Sequence, residues 1–249
     1  MIGKIDLGLE TTLLRGKNVW FDDIEIKNLT LAQIEEMGML EYLTLINFST
    51  LTKEKLIDKK VANYFRDYSF FNLITMFEPL LDMFINFLKT FTVYDADDEL
   101  GVAYIKELNI FVVNNGEHKG RIRESNIEEL LAFVRTVYCI PKVQKESERD
   151  DIDDEMAELL REFEEAEAKI ANENNTGTSI NSVIEAVSTK HPNLNILQIW
   201  DCTMYQLMRT YYRLELLADV ENVMRGIYSG CIDTKKINLK EYHWAKKLD

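Results

Sequence analysis

The chain has 249 residues, 46% of them hydrophobic, enough for one large domain or two small ones with a sizeable core. Its formal net charge of -14 repels phosphate backbones and argues against nucleic acid as a partner. Three prolines and 10 glycines are few for a turn-rich protein, and the abundance of Leu, Glu, Lys and Met points to helix.

The first 28 residues read as β structure. Val19 and Phe21 alternate, as do Ile24 and Ile26; Asp22-Asp23 turns a hairpin between them, unless the stretch is one bent strand. A helix begins after Thr30, because Thr30 and Gln33 have the spacing of a capping box. Leu31, Ile34 and Met37 start its buried stripe, and Gly38 weakens the helix without needing to end it. After the polar segment 52–60, the run from Val61 to Val93 is nearly apolar all round and should be the central buried element. Pro79 kinks or splits it.

Leu108 to Val113 reads as a short strand, Asn114 to Gly120 as its turn, and Arg121 to Arg123 as a return strand. Ser125 and Glu128 suggest a second capping box. It would open a helix with the stripe Ile127, Leu130, Leu131, Val134, Val137 and Tyr138, stopped by Pro141. Between Gln144 and Lys169 lie 12 acidic and 4 basic residues, an exposed helical arm; Asn174 to Thr178 is the clearest linker. Beyond it, Ile180, Val183, Ile184 and Val187 have helical spacing, and His191-Pro192 breaks the helix. Asn195 with Gln198 opens the next. A long amphipathic element carrying Met204, Leu207, Met208, Tyr211 and Leu214 to Leu217 follows, with an interruption expected near Asp219 and a stop at Gly230. The tail from Ile237 to Leu248 is expected to fold back onto this module. These elements give a mainly α protein with small β elements (α+β). It divides into an N-terminal α+β domain (1–143), an acidic helical arm and linker (144–178) and a C-terminal helical module (179–249).

No nucleophile–base pair, zinc motif or phosphate-cradling loop is present in the sequence, so a non-enzymatic protein without cofactor or metal is expected. The cluster Asp150 to Glu155 lacks the glycine of a calcium loop and fits a solvated helix start favoured by the macrodipole. Cys139, Cys202 and Cys231 are odd in number and widely spaced, each in an apolar helical context, which suits buried thiols in a reducing cytoplasm. No secretory signal is seen. The longest uncharged run, Tyr68 to Phe77, is too short to span a bilayer, so no membrane is expected.

Trp200 to Arg213 is the densest aromatic segment. Trp200, Met204, Leu207, Met208 and Tyr211 share one face and read as core. Tyr205, Arg209 and Tyr212 fall on another, and Tyr with Arg is typical of protein interfaces. Together with Arg213 and Trp244 they are the candidate partner-binding residues. The tail is locally basic through Lys235, Lys236, Lys240, Lys246 and Lys247. That serves solubility, or docking to an acidic partner such as the chain's own arm.

Ile184, Val187, Ser188 and Lys190, followed by Trp200, Asp201, Thr203, Tyr205 and Gln206, then Gly230 and the terminal His243-Trp244, resemble a group of proteins of tailed phages and prophages of low-GC Gram-positive bacteria. Leu29 to Tyr42 resembles their opening helix. The resemblance is strongest at the two ends and weak between Thr50 and Asp150. It implies a tail assembly chaperone or another virion-morphogenesis product. The expected partner is then a phage protein (the helical tape-measure protein or another tail protein), in the host cytoplasm, with a homo-oligomer left open. The alternative is a structural component retained in the virion, such as a neck, tail or baseplate subunit.

Overall fold

The computed structural model describes residues 7–57, 62–98, 100–140, 179–231, 238 and 242–248. The acidic arm and linker (144–178), Pro141 and the lysines at 235, 236 and 240 lie outside them. The described chain is mainly α with two small antiparallel sheets.

The N-terminus corrects the expectation of β structure: α1 (Leu7–Leu14) is a helix. The Thr11 and Thr12 hydroxyls donate to the carbonyls of Leu7 and Gly8 one turn back. Leu13 is fully buried, and this packing outweighs a Gly- and Thr-containing sequence of modest propensity. A hairpin of β1 (Val19–Phe21) and β2 (Ile24–Ile26) follows, with Asp22 at φ 47 in its two-residue turn. The bent-strand alternative is thereby excluded.

The Thr30–Gln33 capping box is present in both directions and starts α2 (Leu31–Met37). Gly38 does end this helix. Its φ of 99 and ψ of 122 lie outside the helical region, and α3 (Met39–Phe48) starts as a separate helix after it. A short α4 (Lys53–Leu56) precedes the apolar run. That run splits as expected, into α5 (Phe70–Met76) and α6 (Glu78–Phe91), bent by 106° at Phe77. Pro79 sits in the first turn of α6, where its missing N–H has no intrahelical partner to lose. Among the described residues no single helix is long and apolar enough to cross a membrane.

The second sheet has the order β3-β4-β5, formed by β3 (Val102–Ile105), β4 (Ile110–Asn114) and β5 (Lys119–Ile122). β4 and β5 lie within a residue or two of the expected hairpin; β3 was not expected. Phe111, Val113 and Ile122 point inward. On the same inner face Gly120 admits the β1–β2 hairpin: a Cβ there would lie 2.2 Å from Ile24 Cγ1. Phe84 on α6 meets Phe111 edge-on at 4.7 Å, and Phe87, Phe91 and Tyr138 extend this aromatic core.

Helix α7 (Ile127–Val137) buries its whole stripe through Tyr138. The expected Ser125–Glu128 box is absent. The N-cap is Asn126, without a side-chain cap bond to the helix; its amide instead accepts from Arg123 N and donates to the Arg121 carbonyl. At the other end Ile140 N–H bonds the Arg135 carbonyl and Cys139 N–H that of Thr136, with Cys139 at φ 54. This is a Schellman stop in which cysteine occupies the position that glycine usually takes. The buried Tyr138 hydroxyl donates to the Lys27 carbonyl (2.9 Å), tying α7 to the strand leading into α2.

After the arm, α8 (Ile180–Lys190) is capped by Ser179, buries Val183, Ile184 and Val187, and stops at His191 as expected. A single 3-10 turn spans Ile199–Asp201. Then comes α9 (Met204–Tyr228), 25 residues and about 37 Å long. It runs through Asp219 without interruption and stops at Gly230 (φ 75), where Cys231 N–H reaches the Gly226 carbonyl. Backbone bonds join this region to the start of α2: Leu31 N–H to the Cys202 carbonyl (2.9 Å), with Thr30 and Thr203 paired as an isolated antiparallel bridge.

Candidate functional site

The candidate site is built on α9. Its first turn is fixed by a capping box, in which Thr203 Oγ1 accepts from Gln206 N–H and the Gln206 side chain accepts from Thr203 N–H. This is the T-x-x-Q signature already seen at Thr30. The helix start expected at Asn195 lies at Met204, and the Asn195 side chain instead holds the turn before the 3-10 segment. Gln206 also donates to the Leu14 carbonyl at the end of α1 (2.8 Å). Met204, Tyr205 and Leu207 are buried, and Met208, Tyr211 and Leu214 pack against the core. Among the described residues, Leu214 is the last α9 residue to do so.

The candidate partner-binding residues separate into distinct environments. Tyr205 is 1% exposed and belongs to the core, which corrects its placement on an accessible face. Its hydroxyl is buried and lacks a hydrogen-bond partner. Burial pushes the phenol up to about 12, against the pull of the nearby Arg209 guanidinium. Arg209 is itself largely covered (side chain 12% exposed) and pairs with Glu10 of α1 at 2.5 Å. Its other nitrogen donates to the Leu248 carbonyl at 3.2 Å. Arg213 donates to the carbonyls of Trp244 (2.9 Å) and Lys246 (2.8 Å). The described part of the tail, residues 242–248, therefore folds back as expected, held by its main chain. Tyr212 is half-buried, its ring 5.7 Å from that of Tyr211. Trp244 is 63% exposed, its ring stacked on that of His243 at 6.0 Å.

Glu10 was missed because nothing local pairs residues separated by 199 positions; only the fold brings α1 beside α9. Cysteine burial is graded: Cys139 is buried, Cys202 half-buried and Cys231 exposed, which corrects the expectation of three buried thiols. Burial pushes the Cys139 thiol up to about 12, which makes it a poor nucleophile.

Beyond Leu214 the character of α9 changes. Leu217, Val220, Met224 and Ile227 repeat at helical spacing, half-buried and outside the core, and Tyr228 is 81% exposed. Among the described residues no group of three or more His, Cys, Asp or Glu side chains could hold a metal ion. A shallow groove of about 760 Å³ lies on the outer face of the β3-β4-β5 sheet, between Leu100, Leu108 and Val112 and the bases Lys119, Arg121 and Arg123.

Residues 171–249, the segment that contains α8, α9 and the tail, match the family model described as YomV second domain. That family is phage-associated, of the Bacillus prophage type, and the match hints at a phage protein. No curated protein and no solved structure matches the chain.

Proposed function

We propose that this is a phage morphogenesis protein that works by holding another protein and carries out no chemistry of its own. Specifically, it acts as a tail assembly chaperone for the helical tape-measure protein in the host cytoplasm. The observation that carries the reading is the far part of α9, which extends past the core with an apolar stripe that the body leaves half covered. A long helical partner offers the complementary surface, one amphipathic face laid along another. The net charge of -14 favours solubility for such a complex.

The test is co-expression with a helical fragment of the tape-measure protein. The reading expects the fragment to become soluble and to co-purify, and mass spectrometry of mature particles to lack this chain. A fragment that stays insoluble and unbound contradicts the chaperone role; the chain's presence in mature particles would replace it with a structural one.

A further inference from the structure

The C-terminal tail sits on α9 in an unusual way. Three of its main-chain carbonyls, those of Trp244, Lys246 and Leu248, accept hydrogen bonds from Arg213 and Arg209. Its side chains contribute little, since residues 243–247 are all exposed. The guanidinium that reads Leu248 is anchored from behind by Glu10, so the Arg209 half of the receiving surface is held by α1 and α9, while the bonds of Arg213 go to tail carbonyls. Two arginines presenting donors to carbonyls recognise backbone, which every polypeptide carries. A segment held this way, with few side chains buried, is bound weakly and kept in place mostly by its tether.

We propose that the Arg209–Arg213 face of α9 is a peptide-binding site that reads main chain, and that residues 243–248 fill it in cis. Its other occupant is a segment of a partner polypeptide whose main chain turns to present carbonyls at the same spacing. This deepens the protein-binding reading and rests on it, but adds a second contact distinct from the apolar stripe. Displacing the tail exchanges one set of carbonyls for another, so the arginines are never left unpaired.

The test uses the full chain and a variant that loosens the tail without touching the arginines. Lys246 N–H closes a turn onto the His243 carbonyl (2.9 Å). Lys246→Pro removes that donor and disfavours the turn conformation at Ala245, so the carbonyls lose their presentation. The probe is a fluorescent synthetic peptide of residues 242–249, followed by anisotropy. Because a tethered tail competes at an effective concentration on the order of millimolar, the Lys246→Pro chain should bind the probe about tenfold or more tightly than the intact chain. A scrambled peptide should bind comparably, and adding Arg213→Ala should abolish the gain while circular dichroism stays unchanged. If Lys246→Pro binds no better than the intact chain, or the gain survives loss of Arg213, the proposal is overturned. No tape-measure fragment is involved, so failure here is separable from failure of the chaperone reading.

Discussion

Helices α7 and α9 show two uses of the same sequence pattern. α7 has 11 residues, and each apolar position of its stripe is buried. α9 has 25 residues, and only Met204, Tyr205 and Leu207 are buried in it. Periodicity alone would assign both stripes to a core. The contrast teaches that apolar spacing reports a face in need of cover, while the body of the molecule decides whether the cover comes from the same chain.

The largest effect should come from breaking that contrast at α7. Leu130→Ala empties a fully buried site and should cost about 3 kcal/mol in urea unfolding, whereas Met224→Ala in α9 should cost less than about 1 kcal/mol. Equal losses would mean that the far half of α9 is core after all. Next in size, Arg209→Ala leaves the carboxylate of Glu10 covered and unpaired, and should cost about 2 kcal/mol; a measured loss near zero would show the pair to be solvated. Thr203→Ala removes a cap at the base of α9 and should cost about 1 kcal/mol. Ser125→Ala, outside any cap, should be silent in the same assay.

The smallest effects concern the buried hydroxyl and thiol. Tyr205→Phe deletes an oxygen without a partner and should hold or raise the melting temperature. With folded values pushed up to about 12 for both Cys139 and Tyr205, from ordinary values of 9.0 and 10.0, the sign is fixed. Their contribution is full below pH 9 and is lost as pH rises toward 12. The urea midpoint should therefore fall over that window, and Cys139→Ala should delay the fall. A disulfide-exchange reagent should label Cys231 first and Cys139 only on unfolding.

Much of the fold was legible because its signals are local. The Thr30 box, the β1–β2 turn, the stripes of α7 and α8 and the stop at Gly230 each lie within a few residues. Gly38 shows the limit: a glycine in a helical pattern fits either a weak point or a break, and only its backbone conformation (φ 99) decides. Ser125 shows another, since Asn126 captures the backbone groups upstream and takes over the cap position. At the site, the clustering of tyrosine and arginine was visible, but not which members face outward. The covering of Arg209 depends on α1, whose Glu10 reaches it only through tertiary packing.

The outer stripe of α9 is the proposed surface for another protein. The direct measurement is binding of the helical tape-measure fragment to the intact chain and to a Leu217→Glu/Met224→Glu variant, with unfolding curves recorded on both. Binding lost in the variant while stability changes little is the predicted result. A variant that keeps its fold and binds the fragment as well as the intact chain would contradict it.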